Sequence, residues 1–239
     1  MDGLLAALLA AKGFRASTSI LEAKHGFLQV LSTETDDALL TADLGETWTL
    51  ADNGFKPYAC GSLTHPTIEG VIALREEFGF DAKEIVSIEA GVNDYVSWVT
   101  AKQEPQTGLE AKFSIFHCAA VAAVDGAASV RQFQDDRVND PAVGQIRKRV
   151  SIAVDASLPK DAAVIAITLT DGRRLTREVM HNKGTPAKPM TDDEIEAKFL
   201  DLASPVIGTE AARDVATTCW RVEELDDFAR IATLCRGRS

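Results

Sequence analysis

Apolar and polar positions change period along this chain, and the changes divide it. Residues 3–12 are apolar on nearly every face and read as a helix stopped by Gly13. A helix of that kind must be covered all round, so it is expected to be buried. Residues 17–31 suggest a short helix or loop–helix, 36–40 a second short helical signal, and 44–53 a linker. From Pro66 to Phe78 the apolar residues Ile68, Val71, Ile72, Leu74 and Phe78 fall at helical spacing, with Thr64 as N-cap and Gly79 as stop. Residues 85–92 read as a strand, and 110–124, alanine-rich and apolar, as one long buried helix ending at Gly126. Two short helical segments are expected at 130–133 and 140–143. Residues 150–154 and 163–169 alternate as strands, and Asp171-Gly172 turns the second into a partner at 174–180. After a Gly/Pro/Lys linker at 181–189, Thr191 and Glu194 form a capping box. The helix it opens carries an Ile195, Phe199 and Leu202 stripe expected to face a core, and a last helix is expected near 222–234.

This order predicts an α+β fold: a central module with a mainly antiparallel sheet, inserted between helices of another module. The 239 residues suffice for one large domain or two small ones. A hydrophobic fraction of 46% and a charged fraction of 26% are globular values and exclude disordered, collagen-like and coiled-coil classes. The net charge of −11, without a basic stripe, argues against a nucleic-acid partner.

Cys60, Cys118, Cys219 and Cys235 form no C-x-x-C pair, which favours reduced thiols and a cytoplasmic setting. The apolar start resembles a signal peptide, but it has an acidic residue where a basic region belongs and Lys12-Gly13-Phe14 where a cleavage site belongs. No apolar run reaches the roughly 20 residues of a membrane span.

Candidate chemistry concentrates in Phe55-Lys56-Pro57-Tyr58-Ala59-Cys60-Gly61-Ser62-Leu63-Thr64-His65-Pro66. A lysine beside a helix N-terminus suits a carboxylate or phosphate. The alternative is a polar loop that only caps its helix. His117, inside an apolar helix, is either a satisfied core residue or a desolvated general acid/base. Cys60, His65, His117 and Cys118 make a poor zinc set, because neighbours 117 and 118 point about 100° apart on a helix. A Cys60–His117 nucleophile pair has no spacing support. His25 reads as positional and His181 as a surface residue. The glycines at 126, 172 and 184 form neither a dinucleotide nor a Walker loop.

The 55–66 loop resembles the Lys-Pro-Tyr…His loop of the MmgE/PrpD family, which includes 2-methylcitrate dehydratase, cis-aconitate decarboxylase and iminodisuccinate epimerase. Residues 3–27, 110–115 and 189–199 resemble that family in the same order. The resemblance implies a large all-helical domain and a smaller α+β lid with the active site between them. The lid would be 51–181, and 1–50 and 182–239 would be pieces of the helical domain. It implies chemistry on a small di- or tricarboxylic acid, such as proton abstraction and water elimination from 2-methylcitrate, with no metal or organic cofactor. Lys56 matches the family's lid lysine and would bind carboxylate and stabilise charge. His117 stands where many members carry Tyr and would take a proton-transfer role. Tyr58, Cys60 and His65 would contact substrate. The family also carries a long helical half upstream of the matched region. A chain without it would be inactive or need a partner, and would self-associate as a dimer or more through uncovered apolar faces.

Overall fold

The computed structural model describes residues 2–236. They divide into two compact units, the first running to Asp52 and the second beginning at Asn53.

In the first unit, helix α1 (Asp2–Ala11) forms where expected, and Gly13 follows it in the left-handed conformation. Its expected burial does not: none of its residues is buried, and Leu4 and Leu8 are more than half exposed. Helix α2 (Phe27–Leu31) and two 3-10 turns, Asp37–Leu40 and Thr49–Asp52, complete the unit. Ten residues bury little unless neighbours supply a face, and propensity alone leaves short helices marginal.

The second unit is built on a four-stranded sheet: β1 (Ile85–Val92), β2 (Val150–Val154), β3 (Ala163–Leu169) and β4 (Arg174–Val179), in the order β2-β1-β3-β4. β1 pairs parallel with β2, and β3 pairs antiparallel with both β1 and β4. The sheet is therefore mixed, with two of its three pairings antiparallel, which agrees with the expected mainly antiparallel sheet. Ile88, Ala90 and Val92 on β1 and Ile165, Ile167 and Leu169 on β3 turn to one buried face. Helix α3 (His65–Phe78) lies on β3 and β4. Gly70 permits that approach, since a Cβ there would stand 2.6 Å from Cγ1 of Ile165. Asn93 caps α4 (Asp94–Thr100) through the Tyr95 N–H.

The expected long helix at 110–124 is two helices, α5 (Gly108–Ala111) and α6 (Ile115–Asp125). Ser114 separates them. Its Oγ accepts from the His117 N–H at 3.1 Å as N-cap of α6 and donates to the Lys102 carbonyl at 2.5 Å. Apolar periodicity carried through 111–115 and concealed this restart. Every residue from Ile115 to Ala123 is buried, and α6 packs on α3 and on α8 (Pro141–Arg147). The turn α7 (Asp135–Val138) precedes α8.

Residues 182–236 fall in the same unit as the sheet. Thr191 and Glu194 form the capping box of α9 (Asp192–Ile207). Its Ile195, Phe199 and Leu202 stripe does not face a core: no residue of α9 is buried, and Leu202 is exposed. Instead α9 packs on α10 (Thr209–Cys219), which buries Ala212, Val215 and Ala216. The last expected helix is a 3-10 turn at Val222–Glu224 followed by α11 (Ala229–Leu234).

Candidate active site on the 54–66 loop

The loop that opens α3 is fixed at several backbone points. The Ala59 N–H donates to the Ala128 carbonyl at 3.0 Å and the Gly61 N–H to the Lys112 carbonyl at 2.9 Å. Upstream, residues 54–57 lie against 184–185. A Cβ on Gly54 would strike the Gly184 carbonyl, and a Cβ on Gly184, whose φ is +88°, would strike the Phe55 carbonyl. The 184–185 segment is tied to α3 in turn, because the Lys183 N–H donates to Glu69 at 2.7 Å and Lys188 pairs with the same carboxylate. Lys198, on α9, donates to the main-chain carbonyl of Lys56 at 2.6 Å.

Two concave regions flank the loop. One, of about 500 Å³, is bordered by Lys56, Tyr58, Cys60, Lys112, Lys198 and Asp201, among others. The second, of about 460 Å³, is bordered by Lys56, Ser62, His65, Lys160 and Lys183. Lys56 stands at both. In the first groove three ammonium groups face one carboxylate. None of the three has an ion-pair partner among the described residues, whereas Lys183 and Lys188 are paired with Glu194 and Glu69. Unpaired cations converging on one groove in a chain of charge −11 form a local site for an anion.

Tyr58 meets His65 edge to face at 5.3 Å. Burial, and then the nearby Glu69, push the Tyr58 hydroxyl above its ordinary range, so it stays protonated as a donor. His65 is 1% exposed, and its Nε2 has no hydrogen-bond partner. Cys60 lies 3.2 Å from the Thr64 hydroxyl.

Lys56, Tyr58, Cys60 and His65 are thus brought together. His117 is not with them. It is fully buried, its Nε2 donates to the Gln132 carbonyl at 2.9 Å, and its ring leans on Phe133. Gln132 reaches Asp125 at 3.1 Å, and Asp125 and Asp140 hold Arg137. Burial above all lowers the His117 pKa from 6.5 to about 4. The next residue, Cys118, is also fully buried, and its thiol reaches the Ala111 carbonyl at 3.8 Å. Among the described residues no group of three or more His, Cys, Asp or Glu side chains is placed to hold a metal ion. His181 is exposed and 3.5 Å from Asp161. Lys112 and Lys198 are absent from the sequence-derived site, although each lies in a stretch that carried the family resemblance.

The family model for the MmgE/PrpD C-terminal domain matches residues 58–222. The chain belongs to the MmgE/PrpD family. Curated relatives include the cis-aconitate decarboxylases of Mus musculus, 26% identical over 249 residues, and of Aspergillus terreus, 23% identical over 256. That of Homo sapiens is 23% identical over 253 residues. These alignments take in 98–99% of this chain and 50–52% of the relatives. This MmgE/PrpD chain therefore spans about half the length of the curated relatives it matches, and those relatives bear lyase names. Among its described residues no helix is long and apolar enough to cross a membrane.

Proposed function

We propose that this chain supplies the carboxylate-binding lid surface of a lyase acting on a small di- or tricarboxylic acid in the cytoplasm. The convergence of Lys56, Lys112 and Lys198 on one groove carries this reading. Removing a proton or carbon dioxide beside a carboxylate builds enolate-like charge, which nearby cations and donors stabilise. Lys56 binds carboxylate and offsets that charge, Lys112 and Lys198 take further carboxylates, and protonated Tyr58 donates. Cys60 and His65 shape the floor and the flank of the loop. His117 acts indirectly, by holding Gln132 and α6 in place. Sequence motifs favour dehydration of 2-methylcitrate, and the names of the relatives favour decarboxylation of cis-aconitate. Both acids use the same cationic groove.

The test is a thermal-shift series on the purified chain with citrate, 2-methylcitrate, cis-aconitate and a monocarboxylate control. Stabilisation by the tricarboxylates, lost in Lys56→Ala, supports the reading. Equal response to all four acids, or none to any, removes it.

A second reading has its own support. The chain covers half the length of its relatives, and α1 carries exposed Leu4, Leu5 and Leu8. In this reading turnover needs a polypeptide that supplies the other helical half, and without one the chain self-associates as a homodimer or larger species. Sedimentation at several concentrations, with and without a co-expressed upstream half, separates the two readings.

A further inference from the structure

The groove has a sulfur pair at its floor that carboxylate chemistry leaves unused. Cys60 borders the groove and is 6% exposed, while Cys118, behind it on α6, is fully buried. The Cys60 sulfur lies 3.2 Å from the Thr64 hydroxyl, and Cys118 is a neighbour of both. Their backbones meet at one place. The Gly61 N–H donates to the Lys112 carbonyl, and the Cys118 thiol reaches the adjoining Ala111 carbonyl at 3.8 Å. His65, nearly buried and with an unpartnered Nε2, stands beside Cys60. Both thiols are free, and the other two cysteines, Cys219 and Cys235, are exposed.

We propose that Cys60 is an oxidation site: a hydroperoxide converts it to a sulfenic acid, and Cys118 resolves that acid to a Cys60–Cys118 disulfide. In the first step the Cys60 sulfur attacks the terminal peroxide oxygen. The S–O bond forms, the O–O bond breaks, and the departing alkoxide or hydroxide takes the thiol proton. Sulfur gives two electrons and the peroxide accepts them. In the second step the Cys118 sulfur attacks the sulfenic sulfur. The S–S bond forms, the S–O bond breaks, and hydroxide leaves as water with the Cys118 proton. A dithiol reductant reverses the result.

The environment assigns the two roles. Hydrogen bonds from Cys118 and then His65 hold the Cys60 thiol below its ordinary value against the opposing effect of burial. Burial pushes Cys118 up, so it waits as a thiol. Cys60 is the sulfur that a peroxide can reach from the groove, and Lys56 and Lys112 border its approach.

The experiment needs neither a substrate nor a partner. In a Cys219→Ser/Cys235→Ser chain, equimolar hydrogen peroxide should consume both remaining thiols, and mass spectrometry should find the peptides of Cys60 and Cys118 joined. Dithiothreitol should restore both thiols. In the same background Cys118→Ala should stop at a Cys60 sulfenic acid that dimedone captures. Two results would overturn the proposal: both thiols surviving peroxide that oxidises free cysteine, or Cys60 passing to sulfonic acid while Cys118 stays reduced. Should Cys118→Ala fail to fold, the cross-link in the background chain decides alone.

Discussion

His117 offers a quantitative test of how this core is held together. Burial lowers its pKa from 6.5 to about 4, and the Gln132 hydrogen bond offsets that only in part. Below about pH 6.5 the unfolded chain takes up a proton at this imidazole that the folded chain refuses. The stability that neutral His117 contributes is therefore complete above about pH 6.5. It is lost as the pH falls, at up to about 1.4 kcal/mol per unit. The loss ends near pH 4, where the folded form also protonates, so the total reaches about 3 kcal/mol. His117→Gln preserves a donor for the Gln132 carbonyl and removes the titration. Urea unfolding of both proteins, followed by far-ultraviolet circular dichroism, measures the gap between them as the pH is lowered. The variant should be the weaker protein near neutrality, and it should gain about 2 kcal/mol relative to wild type between about pH 7 and pH 5. Other titrating groups cancel in that difference. Parallel curves across the range would refute the assignment of a neutral, desolvated imidazole.

Three further outcomes are expected. Lys56→Ala should weaken tricarboxylate binding about tenfold, close to 1.4 kcal/mol, with unchanged circular dichroism because the side chain is exposed; calorimetric titration checks this, and unaltered affinity contradicts the groove. Gly184→Ala should cost more than about 1 kcal/mol in urea unfolding, because the site has φ +88° and meets the Phe55 carbonyl; a neutral effect would mean that the 184–185 segment does not hold the loop. Ser114→Ala removes the cap of α6 and strands the Lys102 carbonyl, so the melting transition should fall by an equivalent of about 1–3 kcal/mol.

The sheet was the most legible part of the sequence. The short β-rich apolar runs of β1 and β3 and the Asp171-Gly172 turn are local signals, legible without knowledge of the rest of the fold. Apolar content misled where it lacked a polar interruption to read. Ser114 looked like one more small residue inside 110–124, yet its hydroxyl restarts the helix. The Leu-rich α1 and the stripe of α9 predicted burial, but a stripe specifies only that a surface is apolar, and what covers it is a separate fact. The 55–66 loop was readable as a site because its chemistry is contiguous. Lys112 and Lys198 were not, since each joins Lys56 only when α5, α9 and the loop are folded together. His117 shows the opposite limit: its residue type suggested proton transfer, and its position gave it a structural hydrogen bond.

The order of the strands also bears on synthesis. β1 is the inner strand between β2 and β3, yet residues 93–149 must be made before its parallel partner exists, and β3 comes later still. Closing so long a crossover is slow, whereas β3 and β4 can zip as a hairpin at once. During translation the apolar run Ile85–Val92 emerges with both edges unpaired. Its edges wait for the ribosome to deliver the rest of the sheet. Fast elongation or chaperone occupancy of β1 should therefore govern yield more strongly than the stability of the finished fold.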